Sequence, residues 1–387
     1  KLKKFDDKDL KSFQYEKNPK KLRVGFFSAD LRTHSVTKFI EETLKILKQN
    51  NFEIIAFSNN NLGSDDLTTE RLKEIFHEWY DIIKLSDLEV INLIRDKKIN
   101  MLFDLTGYST GNRCEIFKNK SAPLQISWCG YCNSSGIKEM DYLIADQNLI
   151  KKEEESNYSE KIIRLPKIWN SHFLISSKIE VNELPAIKNK FITFGSFNNY
   201  GKLSDDAIET WSKILKNNNS KLILKSSVHD HQLVRDNIMS KFKKNGIEEN
   251  KIIFMERLKS NEEHLKLYNK IDISLDTFPF CGATTTFESL WMGVPTITLS
   301  GKIFNSKFGV SINENLNLNN FIAKDKFDYI EKTNLVSSDL NNLTKIRKSL
   351  RSLVMDSALF DNKNLGLNLG KILKDKWNTF SKLNKNL

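Results

Sequence analysis

No stretch of this 387-residue chain is apolar for anything near the length a membrane-crossing helix needs, which excludes a span. Cysteine is also scarce. Four in a chain this long cannot make the dense scaffold of a small disulfide-stapled domain. Cys129-Gly130-Tyr131-Cys132 has redox spacing and follows the apolar LQISW, but a thioredoxin-like motif opens a helix. Here Asn133-Ser134-Ser135-Gly136, a turn sequence, comes next. A closed zinc site needs four ligands, and Cys114 and Cys281 stand alone, so the cysteines are expected to be small buried residues. His229-Asp230-His231 lacks a third partner and is not expected to hold a metal.

The opening KLKKFDDKDLKSF carries no secretory signal, which gives a cytoplasmic expectation; it begins with lysine rather than methionine and reads as a fragment or processed form. A formal net charge of +11 invites a nucleic-acid partner. Such binding needs a concentrated basic patch with interleaved aromatics, whereas these lysines are spread along the chain among acids. The expectation is a solvated basic surface with no specific nucleic acid.

What is present is a repeated alternation of apolar strands and amphipathic helices, with 39% hydrophobic and 28% charged residues, as in a soluble globular protein. Residues 1–20 read as a linker or the end of an upstream region. LRVGFFS, FEIIAFS, INMLFDLTG, LQISW and DYLIA are strands, separated by helical segments such as VTKFIEETLKILKQ and LEVINLIRDKK. A mixed, charged stretch over 151–190 makes a boundary. The alternation then restarts with FITFGSF, KLILKS, KIIFM, IDISLD and PTITL, and turns helical after about 325. The predicted fold is α/β, with two doubly wound halves over 21–180 and 181–325, and helices over 326–387 packing across the lobes. Ligands in such sheets sit beyond the carboxyl ends of the strands, so the natural site is the cleft between halves.

Candidate residues follow from that placement. In LDTFPFCGATTTFESLWMGVP, Thr284, Thr285 and Thr286 open a helix behind Gly282. A helix start offers unpaired N–H groups and a positive dipole end, both suited to phosphate; threonine is also an ordinary cap, and both readings stand. Glu288, one turn deeper, can accept two hydrogen bonds from a ribose diol. Lys202, in the loop NNYGK after FITFGSF, is placed to neutralise a diphosphate or is a solvated lysine. His34 follows the first strand and can exchange a proton or have no role. His264, on NEEHLKLYNK, contacts phosphate or packs on its helix.

Taken together, these blocks resemble the catalytic region of the O-linked N-acetylglucosamine transferase and SPINDLY family of protein glycosyltransferases, from Lys21 to about Asn378. RVGFFSADLRTHSVTKFIE is similar to the family's opening strand and active-site histidine, at His34. SAPLQISWCGYCNSSG, MDYLIADQ, YSEKIIRLP and FGSFNNYGK follow in family order, with Cys132 where proline is more usual. The resemblance implies a GT-B type fold with the acceptor on the first half and the donor on the second. Lys202 and the threonines would meet the donor diphosphate, with Asn199, His264 and Gly282 in the nucleotide site and Glu288 on ribose. The implied reaction is inverting transfer of a sugar to a Ser or Thr hydroxyl, with a nucleoside diphosphate leaving and His34 near the acceptor or sugar.

The acidic D-x-D element of many metal-dependent sugar transferases occurs only as Asp7-Lys8-Asp9, so no metal and no cofactor beyond the nucleotide sugar are expected. Ala283 stands where animal members carry histidine and Asn199 where they carry glutamine, which brings the chain closer to the SPINDLY branch. UDP-N-acetylglucosamine and GDP-fucose are both open as donors. The partners implied are that donor and a protein or peptide acceptor. A glycan or small-molecule acceptor, and a non-catalytic binding module, are the alternatives; several upstream helical repeats of about 34 residues would favour protein substrates.

Overall fold

A computed structural model of the chain describes residues 2–383 other than 14, 61–65, 174–177, 218, 257 and 259, with only the backbone at 228 and 229. It divides into two compact units, residues 1–173 with 361–387, and residues 174–360.

The first unit is built on strands β1 (Leu22–Ser28), β2 (Phe52–Ser58), β3 (Glu78–Asp81), β4 (Met101–Asp104), β5 (Leu124–Ser127), β6 (Tyr142–Ala145) and β7 (Lys161–Arg164). Helices α1 (Ser35–Gln49), α2 (Leu67–Ile75), α3 (Asp87–Asp96) and α4 (Cys114–Lys118) lie between them. All neighbours pair parallel, in the order β3-β2-β1-β4-β5-β6-β7. Central β1 is buried everywhere except Arg23, as expected of a parallel strand covered on both faces. The Arg23 guanidinium is instead held by Glu53 and Glu78. Residues before β1 run along this unit: Phe5 N–H donates to Asn119 and Lys11 N–H to Asn92.

The second unit contains α5 (Pro185–Asn189), β8 (Ile192–Ser196), α6 (Asp205–Asn217), β9 (Ser220–Lys225), α7 (Gln232–Lys244), β10 (Ile252–Met255) and α8 (Asn261–Leu267). It continues with β11 (Ile273–Leu275), α9 (Thr284–Trp291), β12 (Thr296–Leu299), α10 (Phe308–Glu314), β13 (Ile322–Ala323), α11 (Lys326–Ser338) and α12 (Leu340–Met355). Its parallel strands follow the order β10-β9-β8-β11-β12-β13. Trp211, Phe194, Phe278 and Tyr329 are in its core. A buried aromatic of this size contributes about 1.5–3 kcal/mol by leaving water.

The chain closes with α13 (Asn362–Leu383), which belongs to the first unit and packs along α1. Its stripe Leu365, Leu369, Leu373 and Trp377 is buried, and Trp377 Nε1 donates to the Lys17 carbonyl at 3.0 Å. The helices after 325 are therefore shared out, α11 and α12 to one unit and α13 to the other. In each sheet the strand order reverses once beside the first strand of its unit, between β1 and β4 and between β8 and β11. At such points the departing loops diverge and open a crevice.

Candidate functional site

At the second unit's switch point, β8 runs into Phe197-Asn198-Asn199 and a short turn, Tyr200–Lys202. Beside it β11 runs into Asp276 and the loop that leads to α9. Asp276 is almost fully buried, and its carboxylate organises both loops. Oδ1 accepts from Gly282 N–H at 2.7 Å and from Asn198 Nδ2 at 3.1 Å, while Oδ2 accepts from Thr298 Oγ1 at 2.9 Å. Burial pushes its pKa up to about 6, against the pull of those donors and of the Lys202 charge.

With both Nδ2 bonds donated to Asp276 and Thr277, Asn198 turns its Oδ1 to Thr285 Oγ1, 2.6 Å away. The Thr285 hydroxyl therefore donates inward. Thr286 does likewise, to the Gly282 carbonyl at 3.0 Å. Of the three threonine hydroxyls only that of half-buried Thr284 has no partner among the described residues. Nor is any of them the cap of α9: that position is Ala283, which has no side chain able to cap. The first N–H groups to bond back are those of Thr286 and Phe287, both to Ala283 O. Those of Ala283, Thr284 and Thr285 find no acceptor among the described residues, so they remain to meet an anion. Gly282 must be glycine here, because a Cβ would come within 2.5 Å of Thr285 Oγ1 and 2.6 Å of Asn198 Oδ1.

Lys202 reaches the same loop. Its Nζ donates to the Cys281 carbonyl at 2.9 Å and lies 3.9 Å from the centroid of the Phe280 ring, a cation–π distance. Asn199 is exposed; its Oδ1 accepts from Gly201 N–H at 2.9 Å and so starts the turn that carries Lys202. On the other side of α9's first turn, His264 Nε2 lies 3.0 Å from Glu288 Oε2, with Glu288 almost fully buried. Tyr268 ties this pair to the threonines, donating its hydroxyl to Thr285 O at 3.1 Å. If the His264 Nε2–H serves Glu288, Nδ1 is an acceptor, and that atom is buried with no partner among the described residues.

His34 occupies the first unit, as the cap of α1. Val36 N–H donates to its Nδ1 at 3.3 Å, and Asp30 Oδ2 lies 3.7 Å from the same nitrogen. An accepting Nδ1 puts the proton of the neutral ring on Nε2, so in this arrangement Nε2 is a donor. Burial lowers the ring's pKa; Asp30 opposes that, and Arg32 and Lys38 add to it. Cys129, whose Sγ lies 3.9 Å from Val36 O, is in no disulfide, nor are Cys114, Cys132 and Cys281. In the motif between Cys129 and Cys132, Gly130 is fixed by packing, since a Cβ would lie 1.7 Å from Leu105 O.

Sequence reasoning missed Asp276, Asn198, Tyr268 and Phe280. The available signal was an acid closing a buried strand next to the glycine–threonine loop. Among the described residues no three His, Cys, Asp or Glu side chains gather as a metal site; the His229 side chain lies outside them. No helix among them is long and apolar enough to cross a membrane.

The family model Glycosyl transferase family 41 matches residues 4–176 and 170–369. The probable UDP-N-acetylglucosamine--peptide N-acetylglucosaminyltransferase SPINDLY of Solanum lycopersicum is 32% identical over 364 residues, covering 93% of this chain and 39% of that protein. The corresponding SEC protein of Arabidopsis thaliana is 27% identical over 374 residues, covering 93% of this chain and 37% of that one. The chain thus spans about two fifths of the length of the curated relatives it matches. Among solved structures, a mutant of the Thermobaculum terrenum O-GlcNAc transferase superposes with a TM-score of 0.89 at 26% identity, over 96% of this chain and 71% of that one. Anabaena HepE, solved with UDP and glucose, gives 0.56 at 10% identity over 92% of this chain and all of that one, a likeness of fold alone. The fold is the two-Rossmann GT-B type, and the chain belongs to glycosyl transferase family 41.

Proposed function

We propose that this chain carries out inverting transfer of a sugar from a nucleoside diphosphate to serine or threonine hydroxyls of proteins, with UDP-N-acetylglucosamine as donor. The carrying observation is the start of α9, where three amides unengaged among the described residues and the Thr284 hydroxyl lie on the loop reached by the Lys202 ammonium. The acceptor oxygen bonds to the anomeric carbon and gives up its hydroxyl proton to the surrounding water, as the bond from that carbon to the diphosphate breaks and its electron pair passes to the diphosphate. The helix start and Lys202 stabilise the charge that develops there. They supply what a divalent cation would supply, so transfer is expected to proceed in a chelator.

Calorimetry with a panel of UDP- and GDP-sugars in EDTA tests the reading. UDP-N-acetylglucosamine is expected to bind and to support turnover on a peptide; binding of none of the panel would end the donor assignment. GDP-fucose is the second reading, favoured by Ala283 and Asn199, the departures from the animal members that bring the chain closer to the SPINDLY branch. Binding without turnover would identify a non-catalytic module.

We assign Glu288 to ribose, with His264 Nδ1 as acceptor for another nucleoside group. Glu288→Gln keeps the size but weakens the acceptor, and is expected to raise the nucleotide Kd about ten-fold with little change in kcat. Unchanged nucleotide affinity would remove the assignment.

A further inference from the structure

Two loops that diverge at a switch point have no reason to hold their relative register unless something buried ties them. In the second unit the tie is Asp276. It grips the loop after β11 through Gly282 N–H and the loop after β8 through Asn198 Nδ2, and it is anchored to β12 through Thr298 Oγ1. Asn198 passes the constraint on. Its amide has one productive orientation beside a carboxylate, Nδ2 toward Asp276, and that orientation turns Oδ1 to the Thr285 hydroxyl. The turn 282–285 is thus clamped from inside at both ends, at the Gly282 amide and at the Thr285 side chain.

The clamp determines which groups face outward. Inward donation by Thr285 and Thr286 leaves as the turn's remaining donors, among the described residues, the amides of Ala283, Thr284 and Thr285 and the Thr284 hydroxyl. An anion site already set before its ligand arrives avoids the ordering cost of assembling it on binding. The geometry points to Asp276 as a positioning residue that, through Asn198, holds the diphosphate-binding turn in its binding geometry ahead of the nucleotide. Asp276 itself is not a ligand contact, since both its carboxylate oxygens are taken by Gly282, Asn198 and Thr298. This role rests on the donor reading above and adds to it the element that shapes the site.

The inference predicts a loss selective for the diphosphate. Asp276→Ala removes at once the acceptor of Asn198 Nδ2, Gly282 N–H and Thr298 Oγ1. Asn198→Ala breaks the relay at a half-buried position and leaves the carboxylate its other two donors. Wild type and both variants are titrated with UDP, GDP, uridine and guanosine, with donor KM, kcat and melting temperature measured alongside.

Both variants are expected to lose about ten-fold in affinity for whichever nucleoside diphosphate the wild type binds, with nucleoside affinity held. The loss should enter donor KM more than kcat. Should Asp276→Ala fail to fold, Asn198→Ala carries the test alone. Equal losses for nucleoside and nucleoside diphosphate, alongside a lowered melting temperature, signify general loosening and overturn the inference. So do variants that bind like wild type. A wild type that binds no nucleoside diphosphate overturns the donor reading first, and is distinguishable on that ground.

Discussion

Lys202→Ala is expected to lower kcat by about 10²–10³-fold, the usual cost of removing one preorganised group that stabilises charge developing in a transition state. The side chain is held in place without a ligand by the Cys281 carbonyl and the Phe280 face. Losing those contacts costs on the order of 1 kcal/mol, so the variant should remain folded. Donor KM should move less than kcat, because the charge on the diphosphate grows as the bond to the sugar breaks. Arginine restores the charge but not the compact point geometry, and only part of the activity should return. A folded Lys202→Ala protein with near-normal turnover would refute the role.

The second large effect is at His34, where two roles must be separated. Alanine removes both the ring that could exchange a proton and the acceptor that caps α1 through Val36 N–H. Asparagine is a good cap and does not titrate. Both variants are expected to lose about 10²–10⁴-fold in turnover, the range for a positioned acid or base, while only His34→Ala also loses melting temperature. Recovery of activity with asparagine would reduce His34 to a cap.

The pH dependence of stability gives an independent reading. Burial holds the folded ring's pKa below its ordinary value, so between the two values the unfolded chain binds more proton. Stability from this group is complete above the unfolded value near ~6.5 and is lost as pH falls through the folded one. Asp30, Arg32 and Lys38 face the ring and remain in both variants, so wild type should lose melting temperature relative to His34→Asn on acidification.

The central strands were legible in the sequence for a physical reason. A parallel strand covered on both faces must be apolar nearly throughout, and LRVGFFS and FITFGSF are. β3 and β7, the edges of the first sheet, carry Glu-Trp-Tyr-Asp and Lys-Ile-Ile-Arg, half exposed, and do not stand out from loops. β13, an edge of two residues, escaped for the same reason. At the site, Lys202 and the threonine run could be read because each follows a strand. The Asp276–Asn198 relay could not, since it joins loops 78 residues apart that meet only once β8 and β11 pair. Nor could the inward turn of two threonine hydroxyls, which depends on which acceptors the fold brings to them.

The return of α13 to the first unit has a consequence for synthesis. That unit draws on both ends of the described chain, and its α1 face and the segment around Lys17 stay uncovered until α13 arrives. The second unit, contiguous from 174 to 360, can complete its core while the ribosome is still making the rest. Although translated ahead of the second unit, the first unit closes after it, and a nascent polypeptide stalled before α13 would present bare apolar surface to chaperones.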